Sequence, residues 1–311
     1  MSSFSFTAPC ITPEEERIER QGLTQAELEE IDRDLFGTDC DVGEDASLVA
    51  DCIAAMHQVI EGMDDDEKDA YLTALEISPL LVETESNPIK FLRCEQFEPM
   101  KAAKRLMAYW KVRRSVFGYE KAFLPMTLNG AMNGMEESLR KGTHILLPYD
   151  SKGRPVIYWD RIRSMRPICE RNEAYQVSFF VRHIMSESIV AQKRGHVLIV
   201  NVRSFDLYKH YDRMLIKQHK TLADAIPSKV KATHCFGGSE TSVYSQVVAP
   251  ADNFVIGRYL RLRQIVHQGT DQEVIQKLGP YGLGRPHIIV ERGGTITQSY
   301  IDEWIEQQVA E

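Results

Sequence analysis

The run Gly195-His196-Val197-Leu198-Ile199-Val200-Asn201-Val202, closed by Ser204-Phe205-Asp206, decides the fold. From His196 to Val202 it is rich in β-branched residues, almost wholly apolar and bounded by turn formers. That pattern reads as a strand buried on both faces, in the middle of a parallel or mixed sheet. A helix-period segment, Glu173 to Gln192, precedes it. Another, Asp206 to Ala225, follows and leads to a second strand pattern, Val230 to Phe236. Strand, helix and strand in close succession predict an α/β domain.

Working outward, Thr143–Pro148 and Arg154–Trp159 predict two strands joined by the tight turn Asp150-Ser151-Lys152-Gly153. Asn172 is the expected N-cap of the Glu173–Gln192 helix. Its Tyr175, Phe179, His183, Ser186 and Val190 fall on one largely apolar face that also carries a His and a Ser. Ser239–Arg263 predicts a helical run broken at Pro250. Gln264–His267 predicts a short strand, Gln272–Leu278 a helix, Pro286–Val290 a last strand and Ile296–Val309 a C-terminal helix. Upstream, helical patterns at Ala46–Met63, Glu67–Leu75, Pro88–Cys94 and Phe97–Phe117 predict a small helical domain. Residues 1–45 read as a weakly ordered acidic lead-in with one helix, Pro13 to Leu35, charged nearly all round.

The 311 residues, 43% of them hydrophobic, suffice for two domains with a substantial core. No apolar run is long enough to span a bilayer, and the N-terminal residues show no secretory signal pattern. The six cysteines stand apart with no CxxC pair, the usage of reduced thiols in a cytosolic protein. Net charge is −8, yet residues 1–86 carry 23 acidic against 4 basic side chains and residues 87–311 carry 22 against 33. The basic part suits an anionic surface, and the acidic part either shields it or stays solvated. Asp32-x-Asp34-x-Phe36-Gly37 opens like an EF-hand loop, but Phe36 and Gly43 stand where ligands are needed, so calcium is excluded. GxSxG, HExxH, P-loop and GxGxxG patterns are absent, so neither catalytic nor metal-ligating residues are expected.

Six patches in order resemble one family. Phe91-Leu92-Arg93-Cys94-Glu95-Gln96-Phe97, with Ala102-Ala103 and Tyr109-Trp110-Lys111-Val112-Arg113, is similar to the signature of the CRAL-TRIO N-terminal domain. Gly153 to Tyr158, Val200 to Phe205, Ile226 to His234, Ile265 to Gly269 and Gly293-Gly294 match later patches of the CRAL-TRIO lipid-binding domain. The resemblance implies an acidic lead-in over 1–45, a helical domain over 46–125, a lipid-binding domain over 126–295 and a C-terminal helix over 296–311. The sheet would floor an apolar pocket under a gate helix.

On this resemblance the pocket lining is Tyr158, then Phe179, His183 and Ser186 on the preceding helix. Leu198, Val200, Val230 and Thr233 would supply the floor, and Thr241, Tyr244, Val247 and Val248 the inner face of the gate. His183 also reads as an ordinary hydrogen-bonded core histidine. Lys229 and Lys231 match basic residues that tocopherol carriers use toward phosphoinositides, and Arg258, Arg261 and Arg263 flank the gate as membrane-facing cations. Glu95-Gln96, Ser228 and Ala249 replace the headgroup contacts of phosphatidylinositol-binding members, which argues against that lipid as the internal ligand. Asn201 stands where the family has Asp. The expectation is a cytoplasmic, transiently membrane-associated, non-enzymatic carrier. It would sequester one hydrophobic ligand, with no other cofactor and no nucleic acid, and exchange it at anionic membranes. The alternative is an interaction module, a scaffold or small-GTPase binder, on the same fold.

Overall fold

The computed structural model describes residues 9–38, 43–206, 210–236 and 244–310. A five-stranded mixed sheet forms the centre: β1 (His144–Leu147), β2 (Val156–Asp160), β3 (His196–Asn201), β4 (Val230–Phe236) and β5 (Gln264–His267). Spatial order follows chain order, with β1 antiparallel to β2 and the other neighbours parallel. All six residues of β3 are buried, as its composition requires of a strand covered on both faces. A register shift between His196 and Val197 pairs His196 with Val230 and Val197 with Ala232.

Strand alternation divides the sheet cleanly. Trp159, Val200, Cys235 and Val266 are cross-strand partners on one face, with Ile157, Leu198, Thr233 and Gln264 a layer below. Tyr158, Ile199, His234 and Ile265 share the opposite face. The helix Arg213–Ala225 lies on the Trp159 face, where His219 stacks on the Trp159 ring at 3.6 Å. Tyr281 packs on the opposite face against His234.

The helical half contains Ala46–Glu61, Asp65–Ile77, Pro79–Glu85, Pro88–Cys94 and Pro99–Ala122. Gly118 (φ 72°, ψ 174°) breaks the last of these, a conformation only glycine takes without strain. A buried network ties this half to the α/β half. Arg113 bonds Glu85, the Tyr109 hydroxyl and the Leu124 carbonyl, and Tyr109 meets His183 Nδ1 at 3.0 Å.

Several expectations are corrected. The lead-in holds two helices, Pro13–Gln21 and Gln25–Phe36, each opened by a capping box, Thr12 with Glu15 and Thr24 with Glu27. Glu173–Gln192 is two helices, Arg171–Ser186 and Ile189–Arg194, with Glu170 rather than Asn172 at the N-cap. Of the expected helix Asp206–Ala225, Arg213–Ala225 forms a helix behind an Asp212 cap, and residues 207–209 lie outside the described residues. Pro250 does not break the gate segment: it sits in the first turn of Ala249–Leu262, preceded by a π-turn over Tyr244–Val248. The interruption comes instead at Gly257 (φ 77°, ψ 171°). Pro286–Val290 forms 3-10 turns, touching Ile296 only through an isolated bridge at Ile289.

Candidate functional site: an apolar cavity under a clasped helix

A narrow, partly open cavity of about 60 Å³ lies on the Trp159 face of the sheet. Leu198, Val200, Val230 and Thr233 form its floor, and Ile216, His219 and Ala223 one wall. Its roof is the segment over Tyr244 and Ala249–Leu262, which contributes Tyr244, Asp252, Ile256 and Leu260 at helical spacing. At this volume it holds a water or two, not a lipid chain. Beside it runs a charged groove of about 870 Å³, and Lys220, Ala223, Val230, Ile256 and Leu260 line both spaces.

The expected lining divides. Leu198, Val200, Val230, Thr233 and Tyr244 stand on the cavity wall. Tyr158 faces the other side of the sheet, its hydroxyl buried without a partner. Phe179 packs on Phe117 and Tyr109, and His183 bonds Tyr109, so both face the helical half. Burial pushes the His183 imidazole down to about 3, against the opposing pull of Glu85, so it is a neutral core histidine. Ser186 donates to the His183 carbonyl, a local helix contact. Val248 is fully buried but off the cavity wall, and Val247 is half-buried. Thr241 lies outside the described residues.

Sequence reasoning missed the polar groups that do border the cavity. Arg161 pairs with Asp252 across it, both buried, with the guanidinium over the Phe205 and Tyr244 rings. Burial raises the Asp252 carboxyl, and Arg161 only partly offsets this. Arg182, three positions past Phe179, reaches the cavity from the Arg171–Ser186 helix. It bonds His196 Nε2 at 2.9 Å and His219 Nδ1 at 3.5 Å. His196 and His219 both lie well below the usual imidazole value through burial, so they are neutral acceptors. The remaining ring nitrogens continue outward, His196 to Ser228 at 2.9 Å and His219 to His144 at 3.3 Å.

Each expected membrane-facing cation carries an acidic partner, and the lead-in supplies most of them. Asp34, 1% exposed, bonds Lys231 at 2.6 Å and also Arg263. Arg263 further bonds Glu30 at 2.6 Å and lies over the Tyr259 ring. Arg258 bridges Glu19 at 3.1 Å and Glu27 at 2.9 Å, and Arg261 pairs with Glu19. Lys229 meets Glu95 at 2.8 Å, beside Arg105. Burial would raise Glu95, but Arg105 and Lys229 together hold it below the usual carboxylate range. Backbone contacts complete the clasp: the Ile11 N–H donates to the Pro250 carbonyl at 2.9 Å, and Arg154 Nη1 to the Asp34 carbonyl at 2.5 Å. Asn201 donates to Asp160 at 2.9 Å, keeping the end of β3 hydrogen-bonded.

Comparison with known proteins gives little beyond this geometry. No family model matches the chain, and no curated protein matches it. A solved structure titled "Crystal structure of Sfh5" aligns with 86% of this chain and 99% of its own, at 12% identity and a TM-score of 0.47. That similarity concerns the course of the chain alone. Among the described residues no helix is long and apolar enough to cross a membrane, and no group of His, Cys, Asp and Glu is arranged to hold a metal.

Proposed function

We propose that this chain binds one hydrophobic molecule between its sheet and the Tyr244–Leu262 segment and exchanges it at anionic membranes, without enzymatic chemistry. The observation that carries this reading is the apolar cavity roofed by an interrupted helix, separated by a few side chains from a much larger groove. A buried CH₂ contributes about 0.8 kcal/mol, so a long chain leaves a bilayer slowly unless an apolar site receives it. The cavity is too small for such a chain, so loading requires the roof to swing outward. Gly257 supplies the joint in that roof. The two lead-in helices hold it shut, and the same carboxylates cover Lys231, Arg258, Arg261 and Arg263. Opening the roof and exposing its cations to a membrane are therefore one event. In this reading residues 1–45 act as a clasp on a lipid-binding unit over 126–295, buttressed by the helical region 46–125 and the helix of 296–311.

Solvent extraction of the purified protein, followed by mass spectrometry, tests the proposal. One hydrophobic species at near-stoichiometric yield is expected. Protein that is empty and also takes no lipid from vesicles overturns it. The second reading, a protein-interaction module, would then stand, since a small cavity and neutralised cations favour it.

A further inference from the structure

We propose that Arg182 is the anchor for a carboxylate, so that the molecule held in this cavity is a long-chain monocarboxylic acid; the inference rests on the lipid-binding reading above. Four arginines are essentially fully buried: Arg113, Arg154, Arg161 and Arg182. Three have a carboxylate in contact, Arg113 with Glu85, Arg154 with Asp150 and Arg161 with Asp252. Arg182, 1% exposed, has none among the described residues: its partners are two neutral imidazoles and the Ser178 hydroxyl. These contacts engage three of the five N–H groups a guanidinium carries, leaving donors for a ligand.

A buried charge without a counter-charge costs several kcal/mol, and proteins ordinarily avoid it. The cation persists: burial alone lowers Arg182 to about 10, still protonated at neutral pH. It borders a cavity lined largely by apolar groups, among them Leu198, Val200, Ile216 and the face of Trp159, where the other buried guanidinium, Arg161, is already matched by Asp252. An apolar chamber with one unmatched guanidinium complements an apolar molecule with one negative end. A guanidinium takes a carboxylate through two parallel hydrogen bonds. The confined space around Arg182 favours that compact group on one chain over a bulky phosphodiester carrying two.

The test uses the full chain with cis-parinaric acid, a fluorescent long-chain carboxylate, and its methyl ester. The parent protein is expected to bind the acid at least tenfold more tightly than the ester. Arg182→Met should abolish that preference while keeping ester binding, which also reports that the variant is folded. Arg182→Lys should retain part of it. Acetate should not displace the acid; displacement would overturn the requirement for a chain. Equal binding of acid and ester by the parent overturns the carboxylate anchor while leaving lipid binding intact, and so does a preference that survives in Arg182→Met. Binding of neither probe overturns both. The comparison in the parent decides the matter even where Arg182→Met does not fold.

Discussion

The cations on the outside of the gate and the cation beneath it are treated in opposite ways. Lys231, Arg258, Arg261 and Arg263 each meet carboxylates from the first 36 residues, although water could have solvated at least Arg258, whose side chain is 54% exposed. Arg182, 1% exposed, meets two neutral rings and the Ser178 hydroxyl. Of the four outer cations only Arg258 forms exposed pairs, which contribute little, whereas an unpaired buried charge such as Arg182 costs much, so stability alone does not account for the difference. The difference identifies two jobs. The outer charges are held in reserve, and the inner one is left for something that arrives.

The largest test of this contrast is pH. Six buried histidines, His144, His183, His196, His219, His234 and His267, lie below the usual value of 6.5, in each case chiefly through burial. Below about pH 6.5 the unfolded chain takes up protons that the folded chain refuses. The contribution to stability is therefore complete above that pH and is lost as pH falls, toward about 4 for His267 and about 3 for His183. Each histidine changes stability by ~1.4 kcal/mol per pH unit in its window. Glu27 in the clasp behaves differently: the Thr24 backbone N–H, then Arg258, hold it at about 2. Its contribution is present above its usual 4.5 and is lost only as pH falls toward 2. Urea midpoints should drop steeply between pH 7 and 5, before the clasp carboxylates titrate. A flat profile over that range would remove the neutral interior from the comparison.

Next in size is Asp34→Ala, which removes the buried carboxylate shared by Lys231 and Arg263, although Arg263 keeps Glu30. Breaking a buried pair from one side costs ~3–5 kcal/mol, and chemical denaturation should show a loss of that order. A loss below about 1 kcal/mol would mean that Asp34 does not anchor the clasp.

How much of this was legible beforehand depended on the element. Val230–Phe236 and Gln264–His267 were read with their observed bounds, because short β-branched runs between turn formers have few alternatives. The docking of the lead-in is hidden in its sequence because charge all round a helix looks like solvation. Two helix starts are nonetheless written in the chain, as the capping boxes Thr12-x-x-Glu15 and Thr24-x-x-Glu27. Periodicity could not orient the Arg171–Ser186 helix, since Val177 through His183 are buried without a break. Its apolar stripe packs on the helical half, so Phe179 and His183 went to a neighbouring core and Arg182, one position from His183, went to the cavity. Which neighbour a fully buried helix turns toward is a tertiary fact, absent from its own pattern.

A middle-sized effect is expected at Gly257. Its φ of 77° with ψ of 171° lies in a region essentially closed to other residues. Gly257→Ala meets no steric neighbour closer than Lys220 Cε at 3.8 Å, so the cost is backbone strain alone, ~1–3 kcal/mol. Thermal denaturation should report it, and lipid exchange should slow if this joint lets the roof swing. A stable variant with unchanged exchange would place the hinge elsewhere.

The smallest change in stability, and the sharpest separation of the two regions, comes from Glu19→Gln with Glu27→Gln. Both side chains are partly exposed and pair with Arg258, while Glu19 also holds Arg261. The exposed Arg258 pairs contribute under ~1 kcal/mol, and the buried Arg261 keeps a hydrogen-bond acceptor in the glutamine amide, so the denaturation midpoint should move little. Vesicle binding should move much more. Each arginine freed near an anionic surface gains ~1 kcal/mol, so sedimentation with phosphatidylserine vesicles should rise roughly tenfold, and the gain should fade as salt is added. Acid-over-ester discrimination at Arg182 should stay as it was, because nothing in the cavity has changed. Equal vesicle binding by parent and variant would show that these arginines do not meet a membrane even when free, and the clasp would then be a structural brace rather than a cover.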